Sequence, residues 1–271
     1  MRLINRVPTP GLRIGLALLP LLLMALIYLS ASAQRHAVNP DDKLLPSAAQ
    51  MVTAVQHMGF EQDTRSGRYL LWADTGASLR RLALGLGLSA AIGLVFGIAA
   101  GTLPLFAAPV SPLVAVLSMI PPLAVLPILF IVFGLDELSK VMLITIGVAP
   151  MLVRDLEHQA LQMPRELLIK AQTLGANTWT TITRVVLPQL LPRLLIALRL
   201  QLGCAWLFLI SAEAIASTDG LGYRIFLMRR YLAMDVILPY VAWITLLAYS
   251  MDWLLRRLTA RAFPWFAESG K

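Results

Sequence analysis

Apolar residues run in long blocks along this chain, and the polar residues between them fall in short clusters. A hydrocarbon core about 30 Å thick takes about 20 apolar residues of helix per crossing, with charges tolerated mainly at the flanks. Six stretches fit that pattern: residues 11–30, 82–103, 113–133, 140–153, 194–214 and 236–255. The fourth is short, since Lys140 and Arg154 bracket only 13 residues. The expected fold is therefore all-α, a polytopic membrane protein of about six transmembrane helices. It divides into an N-terminal anchor helix (1–30), a periplasmic segment (31–81), a transmembrane core (82–257) and a tail (258–271).

Composition agrees with this reading. The 271 residues are 58% hydrophobic and 14% charged, with a mean hydropathy of +0.73, whereas soluble domains carry about 25% charged residues. The net charge of +8 would ordinarily point to nucleic acid, but here no basic stripe is interleaved with aromatics. The charge instead reports topology, because cationic loops stay on the cytoplasmic side. With both termini and the 154–193 loop inside, that side carries 12 basic and four acidic residues, Arg2, Arg6, Arg154 and Lys271 among the basic ones. The opposite side carries 10 basic and nine acidic residues, and Arg199, Glu213 and Asp252 lie within the spans.

The first span has a basic start and a Ser30-Ala31-Ser32-Ala33 exit, features shared by cleaved signals and uncleaved anchors. Later spans already deliver the chain to the membrane, so an anchor is expected. Between the first two spans, Asn39 to Pro46 is turn-rich, residues 47–58 have a helical apolar pattern suited to a membrane surface, and Gly59 to Arg68 reads as a loop. The single cysteine, Cys204, lies mid-span and excludes an intrachain disulfide.

Three features inside the spans carry chemistry. Gly93, Gly97 and Gly101 recur at four-residue spacing with Gly85 and Gly87 upstream, which fits a helix face that lets a neighbouring backbone come close; a glycine-lined pore is the alternative. In the third span Pro121, Pro122 and Pro127 follow Ser118 and Met119. Proline removes backbone hydrogen bonds, and broken helices in membranes often hold or gate a solute, so Ser118, Met119, Pro121 and Pro122 are candidates for the translocation pathway. Glu213 is the third. A carboxylate near a span's end is costly unless paired or wetted, so it is either a pathway residue or a structural cap. Arg199 lies 14 residues away, roughly 21 Å along the same helix, and cannot reach it there.

Enzyme classes fail one by one. No Gly-x-x-x-x-Gly-Lys-Ser/Thr loop is present, so the chain does not hydrolyse ATP itself. His36, His57 and His158 form no two-histidine helical pair, which leaves no expected metal site, and no Gly-x-Ser-x-Gly elbow occurs. No catalytic residue and no cofactor is expected in this chain.

The most informative segment is polar. In residues 164–188, Leu167, Leu168, Ala171 and Leu174 gather on one helical face, Gly175 permits a sharp turn, and Asn177 or Thr178 can cap a second helix running to Leu187 before Pro188. Small Ala171, Gly175 and Ala176 at the elbow would let a partner surface approach. This layout resembles the coupling loop of permease subunits of ABC importers. From Trp72 to Arg257 the chain resembles the nitrate, sulfonate and taurine class, through Thr75 to Leu79, Gly85 to Gly101, Pro121 to Gly134, the loop, Glu213 and Gly220-Leu221-Gly222. Where that class usually has Glu-Ala-Ala, this chain has Ile169-Lys170-Ala171, so any contact made by that glutamate is lost.

The resemblance implies a type I ABC importer permease in a bacterial inner membrane, with both termini cytoplasmic. Its partners would be ABC ATPase subunits, which bind the ATP and Mg, a second permease copy, and a periplasmic solute-binding protein. Ala171, Leu174, Gly175, Ala176 and Asn177 would contact the ATPase. Lys170 to Ala176 and Ser217 to Arg224 resemble most the branch associated with urea carboxylase, which implies a small nitrogenous solute such as guanidine. A secondary transporter or channel working without an ATPase is the alternative from another class.

Overall fold

A computed structural model describes residues 9–39, 42–64 and 66–268. Arg2, Arg6, Asp41, Arg65 and Lys271, which enter the charge count, lie outside the described residues. The described chain is all-α, with helices α1 (Pro10–Val38), α2 (Ala48–Phe60), α3 (Leu70–Thr102), α4 (Pro104–Leu117), α5 (Pro122–Phe133), α6 (Glu137–Leu161), α7 (Arg165–Thr173), α8 (Thr178–Thr181), α9 (Leu187–Ala216), α10 (Leu221–Arg229), α11 (Met234–Ala262) and α12 (Pro264–Glu268). They fall into two compact units, one from residues up to 69 with 227–240, the other from 70–226 with residues from 241 onward.

In the first unit the α1–α2 connection is tied back onto α1. The Tyr28 hydroxyl donates to the Pro46 carbonyl at 2.8 Å and the Ser32 hydroxyl to the Leu45 carbonyl at 3.0 Å. The Leu44 amide and the Arg35 guanidinium both donate to Asp42 and hold its carboxyl below the usual range. Ser47 and Gln50 form a reciprocal capping box that starts α2.

The second unit is built on α3 and α6. Gly85 faces Ile144, Gly93 faces Leu152, Gly97 faces Leu156 and Gly101 faces Ala160, the partner's number being 59 higher each time. A constant offset of that sign means that the helices run parallel. A Cβ on Gly85, Gly93 or Gly97 would lie 2.7 Å from its partner's Cβ, so the glycines are a packing face and line no pore. The contact buries Leu82, Leu143, Ile144, Val148 and Leu156 almost completely.

Among the described residues, four helices are long and apolar enough to cross a membrane: α1, α3, the α8–α9 run and α11; α4 with α5 makes a fifth as one broken span. The span expected over 113–133, broken or kinked at its prolines, is two helices that meet at 98°. Pro121 and Pro122 explain the break, since neither offers an amide to the turn before it and Pro121 is extended (φ −65°, ψ 116°). The expected short span at 140–153 lies within α6, a 25-residue helix that is not among those apolar enough to cross, so five spans at most stand where six were expected among the described residues. The helix tolerates polar ends because Glu137 pairs with Arg81 and Lys140, and Ser111 donates to Glu157. Parallel packing of α3 and α6 requires one return between them, which the α4–α5 pair supplies.

Candidate functional site

The loop at 164–188 folds largely as its residues dictate. Pro164 is the N-cap of α7, which ends in a glycine turn: the Gly175 amide donates to the Gln172 carbonyl at 2.9 Å and the Ala176 amide to the Ala171 carbonyl at 3.0 Å. Gly175 has φ +80°, a left-handed conformation that disfavours a Cβ. The Asn177 side chain accepts from the Thr180 amide at 2.7 Å and so starts α8. A stop before Pro188 was expected, yet α8 continues through a π-helical turn (Ile182–Val186) into α9. In that turn the Leu187 amide reaches back to the Ile182 carbonyl, an extra residue of slack just ahead of the prolyl nitrogen that has no hydrogen to donate.

Exposure along the loop is uneven. Ala171 is buried, while Leu174 is 86% and Trp179 72% exposed; Asn177 is exposed and Ala176 half-buried. Ile169, at the place of the family glutamate, is also exposed. Behind the elbow, a cavity of about 460 Å³ is lined by Gly101 and Leu103 of the α3 end, Ala160 of α6, Leu168 and Gln172 of α7, and Asn177. The loop therefore lies beneath the ends of both central helices.

At the other end of α3, Asp74, Ser78 and Arg81 share one face at i, i+4 and i+7. Arg81 is the hub. Its guanidinium lies 2.8 Å from Glu213 Oε1, 2.5 Å from Glu137 Oε1 and 2.5 Å from Asp219 Oδ1, and it also donates to the Asp219 carbonyl at 3.0 Å. Glu213 accepts from the Ser78 hydroxyl at 2.8 Å and the Gly222 amide at 2.9 Å. Asp74 accepts from the Gly220 amide at 3.0 Å and from Arg224 at 2.8 Å. Gly220 sits at φ +111°, and a Cβ there would lie 2.5 Å from the Glu213 carboxyl. The 217–222 turn is thus clamped between α3 and α9.

The sequence-derived pathway residues separate into two places. Ser118, Met119, Pro121 and Pro122 form the α4–α5 corner, where Met119 is 78% exposed and the Arg154 guanidinium donates to the Ser118 hydroxyl at 2.9 Å. Glu213 is fully buried and held by Arg81. Arg81 pairs at the start of α6 and Ser118 at Arg154, 17 residues or roughly 25 Å beyond Glu137. A fully buried carboxylate with its own protein cation fits the second of the two expectations for Glu213, a structural cap. Arg199, for its part, pairs with Asp252 of α11 at 2.8 Å. Sequence reasoning missed Asp74, Ser78 and Arg81; their i, i+4, i+7 spacing was the available signal.

Long apolar helices, a broken span and a helix-turn-helix loop beneath α3 and α6 make this a polytopic membrane protein. The match to the family model for the binding-protein-dependent transport system inner membrane component covers residues 93–263, and the chain belongs to that family. It is 37% identical over 200 residues to the taurine transport system permease protein TauC of Escherichia coli, covering 73% of this chain and 72% of that one. It is 31% identical over 195 residues to a putative aliphatic sulfonates transport permease protein of Bacillus subtilis (72% and 71% covered) and 33% identical over 200 residues to the bicarbonate transport system permease protein of Synechococcus elongatus (70% and 71%). Among solved structures it is similar to the MetNI methionine ABC transporter in an inward-facing conformation, with TM-score 0.63 and 21% identity, over 73% of this chain and 99% of that one. That likeness concerns the fold. This is the multi-pass inner-membrane permease subunit of an ABC importer, and it works with an ATPase and a solute-binding protein.

Proposed function

We propose that this permease pairs with a second copy of itself or a close relative, with both termini and the 164–188 loop in the cytoplasm. Two ATPase subunits, which bind ATP and Mg, dock on the elbow formed by Ala171, Leu174, Gly175, Ala176 and Asn177. The observation that carries this is the exposure of Leu174 and Trp179 on a loop seated beneath α3 and α6. Large apolar side chains exposed on a polar loop call for a partner, and a loop packed on both central helices can move them.

The solute is a small anion of the sulfonate kind. Relatives named for taurine, aliphatic sulfonates and bicarbonate support this reading. The guanidine-like alternative rested on the likeness of Lys170 to Ala176 and Ser217 to Arg224, and Glu213, the carboxylate within the spans that could balance a cation, is already paired with Arg81. Cross-linking from Leu174→Cys tests the docking: in membranes that contain the partner ATPase, it should give a single permease–ATPase adduct. An adduct-free Leu174→Cys complex that still imports solute would refute the docking site.

A further inference from the structure

The α4–α5 corner carries a cation. Glu157 and Arg154 lie three residues apart on α6, roughly 4.5 Å, while their partners Ser111 and Ser118 lie seven apart on α4, roughly 10 Å. α4 therefore crosses α6 obliquely and delivers the corner beside Arg154. In the α3–α6 register Arg154 is level with residue 95, six residues or roughly 9 Å above the Gly101–Ala160 contact at the inner end of the bundle. Its side chain is thus inside the depth of the bundle, and it is exposed. No ion pair within 4 Å is found for Arg154 among the described residues, whereas Arg81, Arg199 and Arg224 each hold a carboxylate. Its hydrogen-bond partner among the described residues is the neutral Ser118 hydroxyl. Next to Ser118 in the chain, Met119 and Ile120 are exposed and apolar.

A cation at membrane depth is costly unless it is paired, hydrated or functional. Here an exposed guanidinium with a hydroxyl beside it, at the break of a spanning helix, offers a positive charge and N–H donors to a carboxylate or other oxyanion group. We infer that Arg154 and Ser118 form an inner station in the translocation pathway that takes the anionic head group of the solute as it leaves the bundle. This rests on the reading that the solute is a small anion. It makes Arg154 a specificity-determining residue, with Ser118 fixing its orientation.

The test uses the complete transporter, permease with ATPase and binding protein, in proteoliposomes, with labelled taurine and ethanesulfonate as probes. Arg154→Gln should lower accumulation about tenfold, the effect of losing one charge-assisted hydrogen bond, while ATP hydrolysis stimulated by the loaded binding protein continues. Arg154→Lys should keep at least about a third of the rate, and Ser118→Ala should lower it about threefold. Accumulation by Arg154→Gln within about twofold of the parent overturns the proposal, as does Arg154→Lys failing as completely as Arg154→Gln. Equal loss of stimulated ATP hydrolysis also overturns it, since that marks a structural role. If Arg154→Gln does not assemble, undiminished accumulation by Ser118→Ala overturns it. A parent complex that accumulates neither probe overturns the anionic-solute reading, and the station with it.

Discussion

Arg81 and Glu213, 132 residues apart in sequence, meet at 2.8 Å inside the bundle with 2% and 0% of their side chains exposed. Desolvating two such charges is expensive, and the pair is tolerable only because further groups satisfy the rest of each. Glu137 and Asp219 flank the guanidinium, and Ser78 and the Gly222 amide serve the carboxylate. The consequence is a fixed 217–222 turn that joins the end of α9 to α10.

Removing one partner leaves a buried charge without compensation. Arg81→Met should destabilise the subunit by about 3–5 kcal/mol, read as a lower melting temperature of the detergent-purified complex. Adding Glu213→Gln should restore part of the loss, because the carboxamide still accepts from the Gly222 amide. If Arg81→Met melts at the parent temperature, the clamp contributes nothing.

The α3–α6 contact should be intolerant of bulk at specific glycines. A Cβ on Gly97 meets Leu156 Cβ at 2.7 Å and the Val153 carbonyl oxygen at 3.0 Å, whereas one on Gly87 meets nothing within 4 Å. Gly97→Val should cost about 1–3 kcal/mol through overpacking, and Gly87→Val should be far milder. Equal melting temperatures for the two variants would contradict the parallel packing described.

These two contacts differ in how far the sequence announced them. Glycines at four-residue spacing can be seen in one helix, and the face was legible without its partner. The ion cluster was not. Residues 70–81 are too polar to extend the apolar block, so the helix start at Leu70 was hidden, and a pairing across 132 positions leaves no local trace. The elbow was legible because Pro164, Gly175 and Asn177 act on their own turns. The 98° break showed in the two prolines, but only the structure set Arg154 beside it. The continuous α8–α9 run was missed because a π turn absorbs Pro188, and nothing in the residues alone marks such a turn.

At the elbow, Gly175→Trp separates coupling from folding. The Cβ position at Gly175 is open, with no atom within 4 Å, so the side chain points away from the subunit. Its left-handed backbone adds about 1–2 kcal/mol of strain. Membrane insertion should persist while ATP-dependent uptake is abolished, as compared by quantifying permease in the membrane against solute accumulated. Normal uptake at normal permease levels would contradict docking at this turn.

Topology is checked by reporter fusions. Those after residues 60 and 137 should report the periplasm, and those after 160 and 265 the cytoplasm, following the distribution of Lys and Arg. A periplasmic signal from position 160 would place the loop on the side without ATP.

The central claim is that ATP hydrolysed by another subunit drives solute through this chain. Its most direct measurement is accumulation of labelled taurine in proteoliposomes that hold the permease, its ATPase and the binding protein, with ATP supplied on the side of the 164–188 loop and ion gradients collapsed by ionophores. Accumulation should require ATP and the ATPase and be indifferent to the ionophores. Accumulation by the permease without the ATPase, abolished when the ion gradient is dissipated, would contradict the claim.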